Sequence, residues 1–271
     1  MKFISFGAEF HDEISPQTMA KHGSVVIAQL KQKLPDTVGP VIYVDEQLEP
    51  ADVIDQVIQR GCNFLLQKNK GFFENDLDGT AGLAEQPAAY FLESFQFSPE
   101  PALQTLSLSF SNSQDKEVLK EKSLALISNF KSGTLDDSLI AIIEELYMNA
   151  VFDAPREAQK TGAQSVANPL FELILTEKLL QVSCTDFYGS LDVFKFLKRM
   201  NDVYRNGAGP IMTSEDNQGA GLGCMILFEH STCVILGVDP GRKSKVSCLI
   251  PIGVSHLRRS QMKKSLHWFQ G

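Results

Sequence analysis

The chain has 271 residues, 43% hydrophobic and 21% charged, so it can bury a core and does not read as a disordered segment. It has no apolar run long enough to cross a bilayer, and its first residues (Met1-Lys2-Phe3-Ile4-Ser5-Phe6) lack the features of a secretory signal, which makes a cytoplasmic location the default expectation. The net charge of −8 is uneven: residues 1–100 carry 7 Lys/Arg against 15 Asp/Glu, and residues 101–271 carry 18 of each, which argues against nucleic acid or anionic membrane as partners.

The first half reads as α/β. Met1 to Phe6 is a short strand. Pro16 to Leu34 carries a helical apolar stripe. Val38 to Val44 is an apolar strand, Pro50 to Arg60 a helix with Val53, Ile54, Val57 and Ile58 on one face, and Asn63 to Gln67 another strand. The turn-rich run Asn75-Asp76-Leu77-Asp78-Gly79-Thr80-Ala81-Gly82 reads as a connector, and Ser98-Pro99-Glu100-Pro101 as a second break. Leu103 to Phe110 then alternates like a strand. Helices follow at Lys116 to Phe130 and Leu135 to Val151, and paired strands at Leu170 to Thr176 and Leu179 to Thr185. Asp192 to Arg205 and Leu222 to Glu229 are helices. Thr232 to Val238 and Lys245 to Ile250 form a hairpin around Asp239-Pro240-Gly241.

This order predicts an α+β fold: a C-terminal two-layer α/β sandwich preceded by a smaller α/β domain. The expected boundaries are a domain over 1–80, a linker over 81–101, the sandwich over 102–255 and a basic tail over 256–271. Arg258, Arg259, Lys263 and Lys264 in that tail read as a solvated face, and apolar Leu266, Trp268 and Phe269 suggest docking on the domain or on a partner. Cys62, Cys184, Cys224, Cys233 and Cys248 form no C-x-x-C pair, and four of them sit among apolar residues as buried thiols in a reducing compartment do.

Three short motifs could carry chemistry. In Glu144-Glu145-Leu146-Tyr147-Met148-Asn149, Glu145 and Asn149 share one helical face beside an apolar stripe. A carboxamide offers Mg²⁺ a neutral oxygen and a carboxylate can serve as a base; a solvated polar face is the plainer reading. Asp186, before the turn glycine Gly189, could accept a hydrogen bond from an adenine amino group or could simply cap the turn. Gly219, Gly221 and Gly223, ahead of an apolar helix, could let backbone approach phosphates or could form a surface loop; their spacing is not that of a dinucleotide fingerprint.

In this order, from about Leu103 to Ile252, the motifs resemble the N, G1 and G2 boxes of the histidine-kinase/Hsp90-like (GHKL) ATPases, with anti-sigma-factor serine kinases the most similar in style. The resemblance implies ATP and Mg²⁺ as ligands, Glu145 as general base, Asn149 as Mg²⁺ ligand and Asp186 as adenine contact. It further implies Gly189 in the nucleotide loop, Gly219, Gly221 and Gly223 around the phosphates, and Lys195 to Gln218 as a mobile lid. Tyr188 and Ser190 depart from the usual D-x-G-x-G, and Asp153 stands where such kinases often have His or an aromatic residue, which favours ATP binding over efficient phosphotransfer. The function implied is a signalling regulator with a protein partner, as a serine or histidine-type kinase. The alternative is a non-catalytic, pseudokinase-like interaction module. Oligomeric state stays open, a homodimer included.

Two further likenesses are slight. Residues 40–68 resemble the last strand–helix–strand of a response-regulator receiver, in degenerate form and without a phosphoacceptor aspartate. His11, five residues before Pro16, resembles an H-box, but only one helix follows, so it reads as a loop residue capping that helix.

Overall fold

The computed structural model describes residues 4–6, 18, 21, 25–29, 40–45, 47–130, 133–162, 164–207 and 222–271. His11 lies outside them. Four parallel strands open the fold: β1 (Ile4–Phe6), β2 (Val26–Gln29), β3 (Val41–Asp45) and β4 (Phe64–Gln67). Within the helix expected over 16–34, Thr18 and Lys21 are helical, and strand β2 corrects the part over 26–29. Val26, Ile27 and Ala28 are all buried, as in a parallel strand covered on both faces, and so short an apolar run carries no period to separate strand from helix.

Helix α1 (Pro50–Arg60) starts with proline in its first turn, where the missing N–H costs nothing, and buries Val53, Ile54 and Val57. Helix α2 (Phe73–Glu85) replaces the expected connector. Leu77, Ala81 and Ala84 recur at helical spacing and are buried, and that burial outweighs the turn propensity of Asn75 to Gly82. A 3₁₀ segment, Pro87–Phe91, follows.

The second half largely follows its sequence pattern: β5 (Gln104–Ser109), α3 (Ser113–Leu126), α4 (Gly133–Met148), α5 (Ala154–Thr161), β6 (Leu170–Leu175), β7 (Leu179–Asp186), α6 (Val193–Asn206), α7 (Leu222–His230), β8 (Cys233–Asp239) and β9 (Lys243–Pro251). Asn112 and Asp115 close a capping box at the start of α3. Strands β5, β6, β7, β9 and β8 are antiparallel neighbours in that order.

The expected basic tail is instead α8 (His256–Ser260) and a buried strand, β10 (Ser265–Gln270). Strand β10 runs antiparallel to β4 and parallel to β8, so the two halves share one sheet of ten described strands, ordered β1-β2-β3-β4-β10-β8-β9-β7-β6-β5. Two basic side chains of the expected tail bond backbone: Lys264 Nζ donates to the carbonyls of Glu229 and Ser231 at 2.8 and 2.6 Å, where α7 ends, and Arg258 donates to the Lys70 carbonyl at 2.7 Å, while Lys263 pairs with Glu49 at 2.9 Å.

The α+β class is the one expected. Helices α1, α3, α4, α6 and α7 cover one face of the sheet, around Ile142, Leu146, Leu197, Leu227 and Val234. On the other face α2 and the segment after it pack Leu77, Tyr90 and Phe97 against Leu66, Ile235 and Leu249. There the Tyr90 hydroxyl reaches the carbonyls of Ile235 and Lys245, and Lys245 forms a buried ion pair with Glu172 at 2.8 Å. The central strands therefore bury both faces, which is why β7 and β8 are almost continuously apolar or small.

Candidate nucleotide cleft

Between the last turn of α4 and α5, α6, the start of α7 and the end of β7 lies a solvent-open cleft of about 100 Å³. Its floor is apolar, with Leu146, Ala150, Cys184, Phe196 and Cys224. Its polar groups include Asn149, Asp153 and Asp186, with the basic Arg156, Lys195 and Arg199.

The wall that carries Asn149 is unusual. Residues Asn149–Asp153 form one π-helical turn, in which the Ala154 N–H donates to the Asn149 carbonyl five residues back. Pro155 follows and has no N–H to continue the α ladder, which gives the local cause of the wide turn. Asn149 lines the cleft, and its Nδ2 is buried with no hydrogen-bond partner. A buried, unpaired amide atom costs free energy unless something in the cleft satisfies it.

Asp186 reaches the same cleft from the opposite side. Its Oδ1 accepts from the amides of Tyr188 and Gly189 at 2.9 and 3.3 Å, so the carboxylate also caps its turn. Burial pushes its carboxyl above the ordinary range, against the lowering effect of those amides. Gly189 (φ +60°) serves the turn: its carbonyl accepts from Gly241 N at 3.1 Å, and a Cβ there would lie 2.3 Å from the Asp239 carbonyl oxygen.

Glu145 sits one turn before Asn149, and its carboxylate packs against Gly223 in the first turn of α7. Burial, reinforced by the charge of Asp153, pushes its carboxyl up to about 7. Of the three predicted phosphate-loop glycines, Gly223 alone can be placed, beside the cleft residue Cys224; Gly219 and Gly221 lie outside the described residues. The expected lid is corrected in part. Residues 195–206 belong to helix α6, which buries Phe196, Leu197, Met200 and Val203, while residues 208–218 lie outside the description.

Sequence reasoning missed three basic side chains in the cleft, Arg156, Lys195 and Arg199, which stand there among the acids Asp153, Glu157, Asp186 and Asp192. Arg156 and Lys195 occupy charged helical stretches that read as solvated faces, and only the packing of α5 beside α6 turns them toward one cleft. Arg156 pairs with Asp153 at 2.7 Å and Lys195 with Glu157 at 3.4 Å. Among the described residues no cluster of three His, Cys, Asp or Glu could hold a metal ion by itself. Mg²⁺ is commonly held by one or two carboxylates with substrate phosphates and water; a carboxamide oxygen such as Asn149 Oδ1 would be a neutral ligand beside them.

No family model matches this chain, and no curated protein sequence matches it significantly. Among solved structures it is similar to a chain of the SiaB–SiaC complex from Pseudomonas aeruginosa, at 12% identity and a TM-score of 0.38, covering 63% of this chain and 98% of that one. At that score the likeness decides neither fold nor function. Among the described residues no helix is long and apolar enough to cross a membrane.

Proposed function

We propose that this chain is a signalling regulator that binds Mg-ATP in the cleft between α4, α6 and β7 and acts on a protein partner. The observation that carries the reading is the meeting of Asn149 and Asp186, 37 positions apart, on one apolar-floored cleft where Asn149 Nδ2 is a buried donor without a partner, open to a ligand oxygen. In this reading Asn149 would hold Mg²⁺ and Asp186 the adenine amino group. Lys195, Arg199 and Arg156 would meet phosphate oxygens, in competition with the acids Asp153, Glu157, Asp186 and Asp192 that line the same cleft. Bound Mg-ATP would supply a transferable phosphoryl group with its charge partly neutralised.

The placement of Glu145 favours binding without efficient transfer. Its carboxyl, raised to about 7, has the affinity for a proton that a general base needs, but it is packed against Gly223 of α7 and is not among the residues that line the cleft, so it would have to turn to act there. A non-catalytic, ATP-stabilised interaction module is therefore the second reading. Asn149→Ala should abolish Mg-ATP binding by calorimetry, and unchanged nucleotide affinity would remove the site assignment. In the intact chain, millimolar Mg-ATP at a tenth-millimolar Kd should stabilise by about 1–3 kcal/mol. Stabilisation without phosphate transfer to any partner serine or histidine selects the second reading.

A further inference from the structure

Among the described residues strand β5 ends the sheet and pairs only with β6. In an antiparallel ladder the N–H and C=O of one residue point the same way. Phe110 N donates to the Pro169 carbonyl at 3.1 Å, within the register that pairs Leu108 with Phe171 and Leu106 with Leu173. The even-numbered residues therefore direct their backbone groups to β6, and Thr105, Ser107 and Ser109 direct theirs to the open edge.

That edge has none of the usual protection. From Ala102 to Gln114 there is no charged residue and no proline. Thr105, Ser107 and Ser109 are exposed, while Leu106 and Leu108 are half-buried at the rim of the helix-side core. The strand also has mirror order by chemical type: Thr105-Leu106-Ser107-Leu108-Ser109 places a hydroxyl at the centre, a leucine on each side and a hydroxyl beyond.

We propose that a second copy of this chain docks on this edge, β5 against β5, antiparallel about a two-fold axis through Ser107. In that register Ser107 faces its own copy, Leu106 of one copy faces Leu108 of the other, and Thr105 faces Ser109. The facing pairs Ser107–Ser107 and Thr105–Ser109 each exchange two backbone hydrogen bonds. The leucines then share one face and the hydroxyls the other, which are favourable cross-strand pairs. Isologous pairing requires a surface complementary to itself, and a mirror-ordered neutral strand meets that requirement. Charge favours the same geometry. The acidic first hundred residues supply β1 to β4, at the far end of the sheet from β5, so dimerisation keeps the two acidic regions apart. This proposal is independent of the nucleotide reading.

The test is the solution mass of the full chain at micromolar concentration by analytical ultracentrifugation. Ser107→Pro removes only an outward N–H and no bond to β6, so the fold survives while pairing is blocked. Ser107→Lys places a charge on the axis against its own copy. The wild type should sediment at twice the 30.0 kDa chain mass and both variants at 30.0 kDa, with far-ultraviolet circular dichroism unchanged. Should Ser107→Pro fail to fold, Ser107→Lys carries the test. Ser107→Cys should form a disulfide-linked dimer under mild oxidant, because its neighbours across the axis lie within disulfide reach and the five native thiols are buried. A wild-type mass of 30.0 kDa, whatever other strand the edge accepts, overturns the proposal. So does a dimer that persists in Ser107→Lys, or a Ser107→Cys variant that does not cross-link.

Discussion

The carboxylate of Glu145 fills the space that a side chain at position 223 would need: a Cβ on Gly223 would lie 1.6 Å from Glu145 Oε1. Helices α4 and α7 approach closely at this point because residue 223 is glycine. Gly223→Ala should therefore displace a largely buried carboxylate and destabilise the fold by about 1–3 kcal/mol. In the double variant with Glu145→Ala most of that loss should disappear. Additive losses in urea unfolding would show that the two residues do not share this space.

The same carboxyl makes stability depend on pH in an uncommon direction. Burial raises it from 4.5 to about 7, so between those values the folded state holds more protons than the unfolded one. Its contribution is fully present below pH 4.5 and is lost as pH rises through 7. His267 works in the opposite sense: burial lowers it from 6.5 to about 3, so its contribution is present above 6.5 and is lost as pH falls through 3. Because the windows overlap, the difference between wild type and variant is the quantity to measure. Glu145→Gln should gain on the wild type as pH rises from 4.5 to 7. After allowance for partial exposure the gain should be roughly 1–2 kcal/mol. A constant difference in melting temperature across that window would refute the shift.

Gly189 and Gly61 make a matched pair. Both have positive φ, +60° and +65°, but a Cβ at Gly61 meets nothing within 4 Å, whereas at Gly189 it meets the backbone of residues 239–242. Gly61→Ala should cost about 1 kcal/mol for conformation alone. Gly189→Ala should cost at least ~2 kcal/mol more, because backbone cannot step aside as a flexible side chain can. Equal losses in denaturant unfolding would place the cost in φ and not in the contact.

The ion pair of Lys245 and Glu172 is almost wholly buried, at 1% and 4% side-chain exposure, and Lys245 also donates to the Leu92 carbonyl at 3.2 Å. Lys245→Met leaves a buried carboxylate without its cation and should cost about 3–5 kcal/mol. Adding Glu172→Leu should recover a large part of that loss. No recovery in the double variant would mean that the backbone of residues 92–94, which both side chains hold, depends on them individually.

Much of the second half was legible because its signals are local. The alternation of β5 and the Asp239-Pro240-Gly241 turn are fixed by neighbours within four residues, and the corresponding elements formed where expected, whereas the Asn112–Asp115 box, not read from the sequence, starts α3 three residues before the expected Lys116. Asp186 and Asn149 could be named from the sequence, but their meeting in one cleft depends on how α4 lies over β7, which no spacing encodes. The misreadings share a cause. Val26 to Gln29, Phe73 to Glu85 and Ser265 to Gln270 carry weak or misleading local patterns, and their structure follows from what buries them. Strand β10 is the clearest case. Only the tertiary structure offers it the vacant edges of β4 and β8, and inserting it satisfies the backbone groups of both while burying Leu266, His267 and Phe269. Helix and strand type follow largely from local periodicity and capping, whereas strand partners and the lining of a cleft are set by burial and hydrogen-bond completion between residues distant in the chain.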